Sequence, residues 1–156
     1  MACFIIDTCA DVVDGQKEYL GQFFHDVWAL NGWQIVIGGA TMSAQIQRKE
    51  ALNGLISNLK DVGRAITIAS DTVDRKEADI RERIIDRLGG VPESCDDLHI
   101  LALALVANCR NVITKDHRLS ACVNSIRAAV GHDHCPRIRV ISSAKTYGDL
   151  KRRNQL

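Results

Sequence analysis

The sequence has no apolar run long enough to cross a bilayer, no basic leader ahead of its first apolar stretch, and no excess of charge of one sign. With 20 basic against 19 acidic residues the formal charge is +1, so any nucleic-acid contact has to come from a local patch. The six cysteines (Cys3, Cys9, Cys95, Cys109, Cys122, Cys135) include no C-x-x-C pair and read as free thiols in a reducing compartment. Neither G-x-G-x-x-G nor G-x-x-x-x-G-K-[ST] occurs, so a dinucleotide fold and a P-loop NTPase are unsupported. Asp7 is followed by "TCAD" and lacks the acid two residues on that a D-x-D phosphatase needs. Internal repeats, low-complexity segments and linkers are missing too. The expectation is a soluble, cytoplasmic protein without membrane contact.

What is present suits one domain over residues 1–156, since 46% of the chain is apolar. Short β-branched runs at 2–7, 33–38, 65–70, 111–116 and 138–143 read as strands. Helical spacing fills the intervals. Leu20, Phe23, Phe24, Val27 and Trp28 give one apolar face over 16–30, and 40–59 reads as one longer amphipathic helix. Residues 74–88 alternate in charge, with Ile80, Ile84, Ile85 and Leu88 on one side and a Gly-Gly stop behind them. The almost wholly apolar stretch 98–107 should be a central helix. This alternation predicts an α/β domain in three α/β/α layers, with a mostly parallel five-stranded sheet.

In such a sheet, ligands bind at the carboxyl ends of the strands, near the point where strand order reverses. Asp7 ends the first predicted strand and Asp116 the fourth; Asp97 opens the helix leading into the fourth, and a right-handed crossover brings that helix start to the same edge. Thr114 projects to the same side as Asp116, and Lys115 to the other. Converging carboxylates repel one another, and a hard divalent cation such as Mg²⁺ or Mn²⁺ removes that penalty. Such an ion can activate water for phosphodiester hydrolysis. Each acid alone has a structural explanation. Ser94 and Asp97 resemble a capping box, and Asp96 and Asp97 both suit a helix N-terminus. Asp7 could cap the helix after the first strand, and Asp116 the turn before "HRLS". Their convergence is what favours chemistry.

"CFIIDT", "DLHILALA" and "ITKDHRL", in this order and spacing, resemble the PIN-domain ribonuclease family over nearly the whole chain. That family's first acid ends strand one, like Asp7. Its third opens a helix in a D-x-x-I-L-A-x-A context, like Asp97, and its last follows a T-x-D pattern, like Thr114 and Asp116. The resemblance implies Mg²⁺- or Mn²⁺-dependent cleavage of single-stranded RNA, commonly by the toxin of a toxin–antitoxin pair and commonly as a homodimer. The sequence departs from the family at the second acid, usually a Glu early in the helix after strand two. Ala44 and Gln45 stand there, and Glu50, the nearest acid, comes about five or six residues late, which at ~100° per residue points it elsewhere. Gln45 and Glu50 are therefore the two candidates for a fourth position. The alternative to an enzyme is a catalytically degenerate PIN-like module that binds RNA or protein.

Three further features are weighed against plainer readings. His132, His134 and Cys135 could hold Zn²⁺ with Cys122, although the spacing matches no standard module and a polar loop is commoner. His99 reads as a packed, hydrogen-bonded core histidine, and His117 as a phosphate contact or a solvated side chain. Arg48, Lys49, Arg75, Lys76, Arg110, Lys115, Arg118 and the tail "KRRNQL" could rim an RNA site or simply disperse charge.

Overall fold

The computed structural model describes residues 2–8 and 18–152. Five strands, β1 (Ala2–Ile6), β2 (Trp33–Gly38), β3 (Ala65–Ile68), β4 (Asn111–Ile113) and β5 (Arg139–Ile141), form one all-parallel sheet in the order β3-β2-β1-β4-β5. Seven helices lie among the described residues: α1 (Glu18–Ala29), α2 (Ala40–Gln47), α3 (Glu50–Asp61), α4 (Ser70–Leu88), α5 (Leu98–Val106), α6 (Arg118–Val130) and α7 (Ala144–Arg152). The predicted α/β class and the five strands are all present, and the sheet is parallel throughout.

β1 is central, with Ile5 opposite Val36 of β2 on one side and Val112 of β4 on the other. The chain builds outward from β1 to β3, then returns across it to β4 and β5. Strand order therefore reverses between β1 and β4, and the crevice at their carboxyl ends is where Asp7 and Thr114 lie. The buried apolar side chains form one cluster, into which Phe4, Phe23 and nearly all of α5 are packed. Every residue of α5 from Leu98 to Ala104 is buried, as a central helix requires.

Four sequence expectations are corrected. Residues 40–59 are two helices, because the apolar rhythm slips: from Ile46 to Leu52 is six residues, about 240° of helical rotation. A break at Lys49, whose φ of −115° and ψ of 88° are not helical, lets α2 bury Met42 and Ile46 while α3 buries Leu52, Ile56 and Leu59. Trp28 is 53% exposed, since it lies one residue, ~100°, past the buried Val27. Ile85 and Leu88 are likewise exposed, and only Ile80 and Ile84 of the expected stripe on α4 are buried with Val73. Finally, Cys95 and Cys122 are joined by a disulfide with a Cα–Cα distance of 4.9 Å, whereas Cys3, Cys109 and Cys135 are free as expected. Cys9 lies outside the described residues.

β2 ends in a pair of glycines that position α2 at the carboxyl edge. A Cβ on Gly38 would stand 2.9 Å from the Ile68 carbonyl oxygen, and Gly39 has φ +85°. The Ala40 amide donates to Asp74 Oδ1 at 3.0 Å, tying the start of α2 to α4. At the other end of the chain, Lys151 Nζ donates to the buried Asp26 at 2.6 Å and Tyr147 donates to the same carboxylate, so α7 is clamped onto α1.

Candidate metal centre

Just past the end of β4 at Ile113, Thr114 keeps its amide on the Ile141 carbonyl at 3.1 Å and turns its side chain to the site. Thr114, fully buried, donates its hydroxyl to Asp7 Oδ2 at 2.6 Å, and the same oxygen accepts the Asp116 amide at 2.9 Å. One hydroxyl thus connects the ends of β1 and β4. The Asp7 amide in turn donates to the Ile113 carbonyl at 2.8 Å, which continues the ladder to the edge of the sheet. Asp7 is buried at 4% exposure.

Asp97 is the N-cap of α5, one position earlier than the expected first-turn placement, and its side chain makes no capping hydrogen bond. The capping-box explanation therefore loses its main support. Asp96, Asp97 and Asp116 each offer a carboxylate oxygen within 4.8 Å of the others, and they are the only such group of potential ligands among the described residues. Burial raises the Asp97 pKa most and the charge of Asp7 raises it next; His99 opposes them, and Asp96 and Asp116 add smaller upward effects. Asp7 is close enough to act on Asp97 electrostatically while its own carboxylate is held by Thr114. The convergence of Asp7, Asp97, Thr114 and Asp116 is present. The closest carboxylate trio, however, has Asp96 where Asp7 is expected from the sequence. The adjacent pair in "SCDDL" is the available signal for Asp96, and helix-dipole preference accounts for both residues without chemistry.

Arg118 balances this charge. It donates from Nη2 to Asp116 Oδ2 at 2.7 Å and from Nε to both Asp116 oxygens at 3.1 Å, while Nη1 lies 2.9 Å from Asp96 Oδ2. The hydrogen bonds from Arg118 hold the Asp116 carboxyl below its ordinary range. From sequence alone Arg118 belongs only to a basic rim.

The fourth position contains no acid. Gln45 Oε1 accepts the Thr8 hydroxyl at 2.8 Å, and Lys49 Nζ donates to the Thr8 carbonyl. Glu50 is exposed in the first turn of α3, where it complements the helix dipole, and it stands outside the carboxylate group. The zinc candidate is dispersed: Cys122 is disulfide-bonded, the Cys135 thiol donates to the Val123 carbonyl, and His134 lies 3.2 Å from Asp79 and 3.1 Å from Lys76. His99 is buried as expected, but its Nε2 has no hydrogen-bond partner among the described residues. Of the basic rim, Arg75 pairs with Asp71 and Lys76 with Asp79, on α4. Residues 153–156 of the tail lie outside the described residues.

No protein-family model matches the chain, and no curated protein or solved structure matches it. Among the described residues, no helix is long and apolar enough to cross a membrane.

Proposed function

We propose that this chain is a divalent-metal-dependent endoribonuclease acting on single-stranded RNA in the cytoplasm, of the kind its resemblance to PIN-domain ribonucleases implies. The observation that carries the reading is the trio Asp96, Asp97 and Asp116 at the strand-order reversal, backed by Asp7 through Thr114. Its donor set is all oxygen, which fits Mg²⁺ or Mn²⁺, and the Asp97 pKa, raised first by burial and then by neighbouring carboxylates, marks a charge that a cation would stabilise. When bound, the ion would supply water activation and neutralise the charge that develops on the phosphate.

The chain's own residues hold that arrangement. Thr114 fixes Asp7 and the Asp116 amide, so Asp116 is presented from a rigid strand end, and buried α5 anchors Asp97. Arg118, with its side chain 58% exposed, can exchange a carboxylate for phosphate oxygens, to which its planar fork is suited. The toxin role, an antitoxin partner and a homodimer draw their support from the resemblance alone.

The deciding experiment is cleavage of end-labelled single-stranded RNA with Mn²⁺ and with EDTA. Wild type should cut only with the metal, and Asp116→Asn should lose the activity; equal cleavage by Asp116→Asn sinks the assignment. A second expectation concerns Arg118. Removing it leaves the trio more negative, so Arg118→Ala should bind Mn²⁺ about tenfold tighter by calorimetry, with the melting temperature essentially unchanged. Equal or weaker binding would show that the guanidinium does not compete with the ion.

One set of contacts favours the degenerate module instead: Arg118 already neutralises Asp96 and Asp116, and Thr8 already satisfies Gln45. If millimolar Mn²⁺ gives no binding heat while RNA still binds, that reading replaces the enzyme.

A further inference from the structure

The break between α2 and α3 places a lysine where local structure has no use for one. Lys49 is the N-cap of α3, a position that favours Ser, Thr, Asp or Asn, and its side chain makes no capping hydrogen bond. A cation at a helix N-terminus also opposes the macrodipole. The backbone there is held from both sides, since the Lys49 amide donates to the Ile46 carbonyl at 3.0 Å and its carbonyl accepts the Asn53 amide at 2.9 Å. The side chain is half-buried and runs back to the end of β1, where Nζ donates to the Thr8 carbonyl. Thr8 follows Asp7 directly, so chain dimensions put this ammonium within about 9 Å of the Asp7 Cα. The Thr8 hydroxyl is held by Gln45, which ties the same elbow to the site a second time.

The ammonium is left with capacity to spare. A carbonyl takes one of its three N–H donors, and Lys49 makes no ion pair among the described residues. A half-buried charge whose partner is neutral is costly, and an anion that takes the remaining donors offsets that cost. Strand order gives the anion its setting. β2 and β4 flank β1, so the acidic centre is approached by a cation from each side: Lys49 from the helices after β2 and Arg118 from the helix after β4. Arg75 and Lys76, by contrast, pair along α4, and Arg110 precedes β4 at the other end of the sheet.

We propose that Lys49 is a substrate-binding residue of the acidic centre, where it holds a backbone phosphate of the RNA at the side on which a fourth acid is expected from the sequence. This rests on the reading of that centre as an RNA site. The RNA strand then crosses the carboxyl edge of the sheet, from Arg118 beside β4 to Lys49 beside β1.

The test is RNA binding without metal, which does not depend on cleavage. A short fluorescein-labelled single-stranded RNA is titrated in EDTA with wild type, Lys49→Arg, Lys49→Gln and Lys49→Met, and affinity is followed by anisotropy over a range of salt. Gln keeps an N–H donor for the Thr8 carbonyl and Met keeps an apolar stem, so a purely structural lysine is replaced in part by each; an unchanged melting temperature identifies the folded variant to be read. The charge-free variants should bind about fivefold more weakly at low salt, and the slope of log affinity against log salt should fall by about 0.7, one phosphate contact. Lys49→Arg should match wild type in both. Wild-type affinity and slope in a charge-free variant, an equal loss in Lys49→Arg, or a wild type that binds no RNA overturns the proposal. If Mn²⁺-dependent cleavage is absent while this Lys49 dependence is present, the nuclease reading fails and Lys49 stands as an RNA contact.

Discussion

Asp97→Asn is expected to lower Mn²⁺-dependent RNA cleavage by on the order of 10²–10³ while making the metal-free protein more stable. The two effects have one origin. Burial and the charges of Asp7, Asp96 and Asp116 raise the Asp97 pKa above its ordinary 3.8. A carboxyl whose folded pKa is raised binds its proton more tightly in the native state, so stability falls as pH climbs from the unfolded pKa to the folded one, and the penalty is complete above that. Asparagine removes the charge and therefore the penalty. It is also a good N-cap, and the native aspartate makes no side-chain cap bond to lose. At pH 7, without metal, the variant should therefore melt above wild type. The difference should vanish once the pH is low enough to protonate Asp97 in both states. Added Mn²⁺ should raise the melting temperature of wild type and leave the variant unmoved. A variant that melts earlier than wild type without metal, or that still cleaves, would contradict this account.

The second large effect is expected on reduction. Cys95 and Cys122 are 27 residues apart in sequence, and opening a loop of that size returns chain entropy worth roughly 3.5 kcal/mol to the unfolded state. For a chain of this length that corresponds to roughly 10 °C in melting temperature, measurable on oxidised and dithiothreitol-reduced protein side by side. The consequence extends to the acids. Cys95 immediately precedes Asp96 and Asp97, and Cys122 sits on α6, whose first residue is Arg118. The bridge therefore holds the acidic turn against the helix that carries its counter-charge. Reduction should weaken Mn²⁺ binding as well as stability. A reducing compartment would favour the dithiol form. Identical melting of the two forms would show that packing alone fixes this turn.

Much of the architecture is legible in the sequence because it depends on short-range pattern. β-branched runs mark all five strands, and the fully apolar α5 identifies itself as central. The three predicted acids converge because strand ends and crossover handedness are topological regularities, which the chain obeys. The misses have a common cause, namely side chains that meet only through tertiary geometry. Cys95 and Cys122 show no sequence spacing that marks a pair. Arg118 looks like any surface cation until Asp96 is found beside it. The α2–α3 break is different, since the slip of rhythm between Ile46 and Leu52 is present in the sequence and a continuous amphipathic reading overlooks it. Correcting it changes Glu50 from a displaced ligand into a helix-start acid.

The placement of β1 in the middle of the sheet bears on how the protein is made. Phe4 pairs opposite Asn111, and Thr114 meets Asp7 across 107 residues of chain. During synthesis β1 emerges with one side unfilled, and its second neighbour arrives only with β4, whose end at Thr114 lies 107 residues after Asp7. Such long-range pairing makes closure of the sheet a late and comparatively slow event. The acidic centre straddles that seam, so a nascent chain carries Asp7 long before it carries the partners that would make it chemically competent. Any hydrolytic activity of the proposed kind would therefore have to wait until β4 and α6 have joined β1.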